Sequence, residues 1–114
     1  GVTVDKTTSD LREEILAFKK ELEQFDITFE ILAEKSPKHK DTRDRAIRIG
    51  YRVSDDGVLI EKVYEKKRLP IRDISRKFEI TEKILKRSKV FILSTSVLFF
   101  KKYTNLIVWI KGVK

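Results

Sequence analysis

Apolar residues recur at intervals of three or four along the first quarter of the chain. They are Leu11, Ile15, Phe18 and Leu22. This spacing places them on one face of a helix and predicts an amphipathic helix from about Ser9 to Gln24. Asp10 followed by Glu13 resembles a capping box at the start of that helix. Residues 1–8 show no period, and we expect a flexible leader there, followed by one domain over residues 9–114.

The middle of the chain alternates helical periods with turn residues. Thr28 is a suitable cap for a short helix, which ends before Pro37 because the residue ahead of a proline avoids the helical conformation. The period returns from Asp41. The positions of this helix predicted to face inward are Ala46, Ile49, Gly50 and Val53, and those predicted to face outward are Arg43, Arg45, Arg48 and Arg52. A turn at residues 55–57 precedes a helix from Val58 to Lys67.

A helix-turn-helix is predicted at about residues 70–93. The apolar side of its first helix consists of Ile71, Ile74 and Phe78. Ile80 is expected to fill the turn, and Thr81 to cap a second helix that continues to Leu93. The side of the second helix predicted to be buried consists of Ile84, Leu85, Ser88 and Ile92, and its opposite side carries Lys83, Lys86 and Arg87 near the amino-terminal end. The whole pattern predicts a compact all-α domain of six or seven helices.

The net charge of +8 is unevenly distributed. Residues 1–36 carry five basic and nine acidic side chains, whereas residues 37–114 carry 21 basic and nine acidic side chains. A basic surface of this density attracts polyanions, with nucleic acid ahead of an anionic membrane or an acidic protein. A soluble basic domain without a specific partner remains the alternative.

Residue types on which many enzymes depend are scarce. The chain has no cysteine, and His39 is its only histidine, which leaves no thiolate nucleophile, histidine dyad or multi-histidine metal site. The nucleotide-binding patterns GxGxxG and GxxxxGK[ST] are absent. We therefore expect neither an enzyme nor a bound cofactor or metal. The apolar stretch Val90–Phe100 is too short for a bilayer span, and the opening residues lack a signal segment, so we expect a cytoplasmic protein without membrane insertion.

The basic residues of the helix-turn-helix suit DNA. Arg87 can donate two hydrogen bonds to a guanine edge, and Lys83 and Lys86 can reach guanine or phosphate. The positions expected to hold backbone phosphates are Arg72, Arg76, Lys77 and the helix start at Thr81. The alternative is a solvated basic face that contacts no partner.

Residues 36–43, with the sequence SPKHKDTR, resemble the signature of sigma-I factors, and the segment from Leu69 to Ile92 resembles their carboxy-terminal helix-turn-helix. The likeness extends from about Ser9 to Gly112. It implies a domain that reads the minus-35 promoter element for the RNA polymerase core and is held inactive by a membrane-bound anti-sigma factor of the RsgI type. The signature residues that suit a clamp for phosphate or for the minor groove are Lys38, His39, Lys40, Thr42 and Arg43. The alternative is a structural loop in which Asp41 caps the helix.

Two further features are candidates for protein partners. Ile107, Val108 and Trp109 are consecutive, so they cannot all face one core in a helix. We expect part of this segment to be exposed and to bind an anti-sigma factor. Burial against the Val90–Phe100 helix is the alternative. The acidic face of the first helix is either solvated or in contact with a basic polymerase surface, and it consists of Glu13, Glu14, Glu21 and Glu23.

Promoter recognition by a monomeric domain is therefore the first hypothesis. A protein-interaction domain, which binds an anti-sigma factor or another acidic partner without specific DNA reading, is the second. A free-standing repressor or activator is the third, and the sequence shows neither a separate effector pocket nor dimerisation heptads for it.

Overall fold

The computed structural model describes the backbone of residues 2–112 and the side chains of residues 10–108 and 110. These residues form eight helices and no strand: α1 (Val2–Glu23), α2 (Phe29–Lys35), α3 (Lys40–Ser54), α4 (Gly57–Lys66), α5 (Ile71–Phe78), α6 (Glu82–Arg87), α7 (Lys89–Phe100) and α8 (Thr104–Gly112). The prediction of a compact all-α domain is confirmed, although the helices outnumber the six or seven expected. No helix within residues 2–112 has both the length and the apolar content that a membrane crossing needs.

The helix α7 forms the centre of the fold. Every residue from Phe91 to Leu98 is buried. Because these eight consecutive buried residues cover every side of a helix, α7 has neighbouring helices all round it. It packs most extensively on α3 and also contacts α1, α2, α4, α6 and α8. The predicted inner face of α3 is confirmed, and its buried positions are Ala46, Ile49, Gly50 and Val53.

The Glu14 carboxylate fastens α8 to α1. Its oxygens accept a hydrogen bond from the backbone N–H of Leu106 at 2.9 Å and one from the side-chain amide of Asn105 at 3.0 Å. Leu106 lies in the first turn of α8, where backbone N–H groups have no partner inside the helix. Glu21 accepts a further hydrogen bond, at 2.8 Å, from the hydroxyl of Tyr64. Half of the acidic face of α1 is therefore engaged with neighbouring helices, which neither sequence-based interpretation anticipated.

The first helix is longer than predicted. It begins at Val2 rather than near Ser9, so the proposed capping box at Asp10 and Glu13 lies inside the helix and is wrong. Once a helix is nucleated, its extension by further turns costs little, which explains how it continues past the apolar stripe. The flexibility of residues 1–8 stays a prediction. Within the stripe itself, Ile15 is 37% exposed rather than buried.

The second helix of the predicted helix-turn-helix is interrupted. It was expected to run from Thr81 to Leu93, but α6 ends at Arg87 and α7 begins at Lys89. Ser88 separates them with φ −116° and ψ 25°, outside the α-helical region. Packing explains the break. The helix α7 is buried on every side, whereas α6 keeps one face in solvent, so the two helices cannot continue along one axis.

Two serines of α7 offer a matched stability test. The Ser94 hydroxyl is buried without a hydrogen-bond partner among the described residues, whereas the Ser96 hydroxyl donates to the carbonyl of Ile92 at 2.8 Å. We expect Ser94→Ala to raise the free energy of unfolding by about 1 kcal/mol and Ser96→Ala to lower it by about 1 kcal/mol. Both changes delete one oxygen, so each is the control for the other in urea titrations. Equal losses in the two variants would contradict this expectation.

Candidate nucleic-acid interface

The helix α5 is positioned by one buried side chain and one stacked cation. Ile74 is fully buried. The guanidinium of Arg52, on α3, lies over the Phe78 ring at 4.0 Å from its centroid, a favourable cation–π geometry. The helix-turn-helix is thereby held against α3.

Two ion pairs join α5 to α4. Lys62 bonds Asp73 at 2.9 Å, and Lys77 pairs with Asp56. The hydrogen bond from Lys77 holds the pKa of Asp56 below its ordinary value, and the bond from Lys62 does the same for the pKa of Asp73. Asp56 also caps α4, because its carboxylate accepts from the backbone N–H of Leu59 at 3.0 Å. Lys77 therefore has a partner within the fold and is less free for a phosphate than its sequence position suggested.

The turn between α5 and α6 is short and closed by backbone hydrogen bonds. Glu79 adopts a left-handed conformation with φ 56°, and the amides of Glu79 and Ile80 both donate to the carbonyl of Ser75. This is a helix ending that glycine more often occupies. The Thr81 hydroxyl accepts from the backbone N–H of Ile84 at 3.4 Å, so the predicted cap of the second helix is present.

The exposed side of α6 is cationic. Lys83, Lys86 and Arg87 are exposed, while Leu85 is fully buried and Ser88 is buried just after the helix, as the helical wheel predicted. The three cations were expected near the amino-terminal end of the second helix, and this expectation holds only for Lys83. Because α6 ends at Arg87, Lys86 and Arg87 lie in its last turn. Lys86 also lies 3.7 Å from Glu82, an exposed pair that contributes little energy.

A shallow depression brings the beginning of α3 to the end of α6. Thr42, Arg45 and Arg87 line it, above an apolar floor that includes Ile49 and Ile84. The two guanidinium groups and the hydroxyl thus stand around one concave surface. Thr42 and Arg87 were predicted from the sequence to bind DNA, whereas Arg45 was predicted only to face outward together with three other arginines. Its position three residues after Thr42, one turn along the same face, was the available signal.

The signature loop remains largely solvated. Lys38, His39, Lys40 and Arg43 are exposed. The Lys40 ammonium bonds Asp44 at 2.7 Å, an i, i+4 pair on α3. The residue before the helix is His39, which makes no side-chain cap bond, so the interpretation of Asp41 as the cap is wrong. Asp41 lies in the first turn, where its negative charge is favourable. Arg72 and Arg76 are exposed on α5.

The candidate partner residues on α8 differ in exposure. Ile107 is half-buried and packs against the core, whereas Val108 is 65% exposed. The side chain of Trp109 lies outside the described residues. The expectation that these consecutive residues do not all face the core holds for the two that are described.

Replacing Asp56 separates its capping role from its charge. We expect Asp56→Ala to lower the free energy of unfolding by about 1 kcal/mol for the lost cap, plus up to about 1 kcal/mol for the lost ion pair, in which only the Lys77 side chain is exposed. Asp56→Asn keeps the cap and loses only the pair. Because folding lowers the pKa of Asp56, its charge stabilises the protein above the ordinary aspartate pKa, and this contribution disappears as the pH falls through the folded value.

Urea titrations at pH 7 and at pH 3 measure this difference. The loss caused by Asp56→Asn at pH 7 should be smaller at pH 3, because the stabilisation by the ionised carboxylate begins to decrease below the ordinary aspartate pKa and disappears as the pH approaches the lower pKa of the folded state. The same loss at both pH values would show that the Lys77 pair contributes nothing.

The chain is similar in sequence to known sigma factors. No family model matches the chain. RNA polymerase sigma factor SigI of Bacillus anthracis is 36% identical over 103 residues, which cover 90% of this chain and 43% of the relative. SigI of Bacillus subtilis is 32% identical over 102 residues (90% and 41%), and SigI3 of Acetivibrio thermocellus is 31% identical over 103 residues (90% and 41%). The chain is homologous to SigI-type sigma factors.

The resemblance inferred from the signature is thus confirmed, and it is consistent with the carboxy-terminal domain of a SigI-type factor. The chain spans about two fifths of the length of the SigI relatives that it matches. The relatives are sigma factors rather than enzymes, which agrees with the expectation of a non-enzymatic protein.

Proposed function

We propose that the chain recognises promoter DNA, at the minus-35 element, as one domain of a SigI-type sigma factor. The observation that carries this proposal is the exposed cationic face of α6 beside the α3–α6 depression, where Arg45 and Arg87 stand together with Thr42. Homology to sigma factors supports the same function.

The α6 face supplies the groups that read bases. Arg87 carries a planar guanidinium that can bond both acceptors of a guanine edge, and Lys83 presents a mobile ammonium on the same face one turn earlier. Neither residue forms an ion pair with a described carboxylate. Their donors are therefore available to DNA without breaking a contact within the fold.

Cations around α6 would fix the duplex backbone. Arg72, Arg76 and the signature residues are exposed and suited to phosphate, and Arg45 joins them across the depression. Two of the phosphate candidates outside α6, Lys40 and Lys77, have carboxylate partners. Lys40 would release Asp44 at little cost because both side chains are exposed, whereas Lys77 would have to release Asp56, which also caps α4. We therefore assign phosphate binding to the arginines first and to Lys77 last.

The partners follow from the same proposal. The RNA polymerase core would engage the full-length factor, and an anti-sigma factor of the RsgI type would control this domain through the α8 segment at Ile107, Val108 and Trp109. The exposure of Val108 supports an open surface there. We expect the protein to act in the cytoplasm, as a monomer, without a cofactor.

A fluorescence-anisotropy titration tests the DNA half of the proposal. The labelled duplex carries the minus-35 region of a promoter used by a SigI-type relative, and the control duplex has the same composition in scrambled order. We expect tighter binding to the promoter duplex, with affinity falling steeply as salt rises because bound phosphates release counterions. Equal binding of both duplexes at every salt concentration would reject promoter reading and leave only a basic surface.

A protein-interaction domain without specific DNA reading is the second candidate. It is supported by an apolar groove next to α8, on a different part of α3 from the depression.

A further inference from the structure

A second concave surface lies between α3, the end of α7 and α8. It is a groove of about 680 Å³ with an apolar floor, formed by Ile47, Tyr51, Phe99 and Ile107. Two residues of the floor pack on each other, since the rings of Tyr51 and Phe99 meet edge to face at 5.3 Å between centroids. None of these four residues belongs to the proposed DNA-reading face of α6.

The floor is more exposed than an apolar core surface would be. The Tyr51 side chain is 53% exposed, although it stands on a helix whose opposite face is fully buried. Val108, which follows Ile107 and lies outside the groove lining, is 65% exposed. Contiguous apolar surface of this kind mostly marks a binding site for another macromolecule, because its burial on association is favourable.

Cations surround this floor. Arg48, Arg52 and Lys102 contribute to the groove lining, and Arg48 and Lys102 form no ion pair with a described carboxylate. Among the residues whose side chains the structure describes, no acidic one lines the groove. A partner that fits must therefore present apolar side chains to the centre and carboxylates to the edge.

We propose that this groove binds an acidic amphipathic helix from a partner protein. Apolar side chains at positions i, i+3 or i+4, and i+7 of such a helix would lie on the floor, as in other helix-in-groove complexes. Its glutamates or aspartates would meet Arg48 and Lys102. Duplex DNA fits less well, because a phosphate backbone would be placed against Tyr51 and Ile107 without covering them. The inference extends the partner-binding half of the proposed function and is independent of promoter reading.

Synthetic peptides provide the probe. The test peptide has about 18 residues, with leucine and phenylalanine along one helical stripe and glutamate at most other positions. One control peptide replaces every glutamate by lysine, and the other keeps the composition but scrambles the stripe. In anisotropy titrations with the whole chain, we expect the test peptide to bind at least about tenfold more tightly than either control.

Matched variants of the chain locate the contact. Tyr51→Ser removes the exposed ring and Arg48→Glu reverses the charge at the edge, and each should weaken the test peptide about tenfold or more. Val58→Ser is the control, because Val58 is 62% exposed on α4 and does not line the groove. It should leave peptide binding unchanged, and circular dichroism should show that all three variants are folded.

The outcomes are distinct from those of the promoter titration. No binding of the test peptide, or equal binding of either control peptide, would overturn the proposal. Equal weakening by Val58→Ser would place the contact elsewhere and would also overturn it. If Tyr51→Ser and Arg48→Glu weakened promoter binding as much as peptide binding, the groove would belong to the DNA surface instead. Peptide binding without promoter binding would reject DNA reading and leave the groove assignment intact.

Discussion

Gly50→Ala is expected to destabilise the fold by on the order of 3 kcal/mol. A Cβ at this position would lie 2.0 Å from the hydroxyl oxygen of Thr95, 2.9 Å from its Cβ and 3.2 Å from the carbonyl oxygen of Ile92. The Thr95 hydroxyl already donates to that carbonyl at 3.0 Å, so its rotation would break a buried hydrogen bond. Rotation of the Thr95 side chain would not move its Cβ away from the new methyl group. The helices α3 and α7 would therefore have to separate along the most extensive contact in the fold.

Gly57→Ala is the matched control. Nothing lies within 4 Å of a Cβ built at Gly57, and this residue is the first of α4. Alanine there should be neutral or stabilising by up to about 1 kcal/mol, because it restricts the unfolded chain and favours the helix. Urea titrations followed by circular dichroism measure both variants.

Adding Thr95→Ala to Gly50→Ala removes the nearest atom and should recover part of the lost stability, a coupling that distant sites would not show. Equal stability of Gly50→Ala and Gly57→Ala would contradict the proposed close packing.

Arg87→Ala is expected to cost on the order of 1–3 kcal/mol of binding to the promoter duplex, and to reduce the preference over the scrambled duplex. Arg87 is exposed and ends α6, so the change should leave the fold intact. The physical reason is the loss of two hydrogen bonds from Arg87 to one base edge. Water would take their place, and water does not distinguish guanine from the other bases as the guanidinium does. Anisotropy titrations on both duplexes, at one low salt concentration, measure the effect.

Arg72→Ala is the control for Arg87→Ala. Arg72 is exposed on α5 and is assigned to phosphate, so its loss should weaken both duplexes similarly and reduce the salt dependence by about one phosphate contact. Lys77 would be a poorer control because its replacement also removes the Asp56 pair. Equal losses on both duplexes for Arg87→Ala would remove it from base reading and transfer it to the phosphate contacts.

The faces of individual helices could be predicted from the sequence. In α3, the spacing of Ala46, Ile49 and Val53 identified the side that packs on α7. In α6 and at the residue after it, Leu85 and Ser88 were correctly separated from the cations that remain in solvent. These predictions succeeded because a helix has a fixed period, so the burial of one position determines the burial of its neighbours one turn away.

The break at Ser88 could not be predicted in the same way. Leu85, Ser88 and Ile92 continue the helical period across it, and neither glycine nor proline marks the position. All three residues are buried, so the pattern is correct even though the helix is not continuous. The break depends on the surroundings of α7, which are supplied by six other helices.

By itself, the sequence determined that this protein is helical, that its positive charge lies in residues 37–114, and that it resembles sigma-I factors. Each of these properties depends on residue types or on neighbours along the chain. Only the tertiary structure placed Glu14 at the beginning of α8, Arg45 beside Arg87, and Tyr51 in a groove with Ile107. These contacts join residues on different helices, and no local period encodes how two helices approach one another. They are set by the packing of six helices around α7.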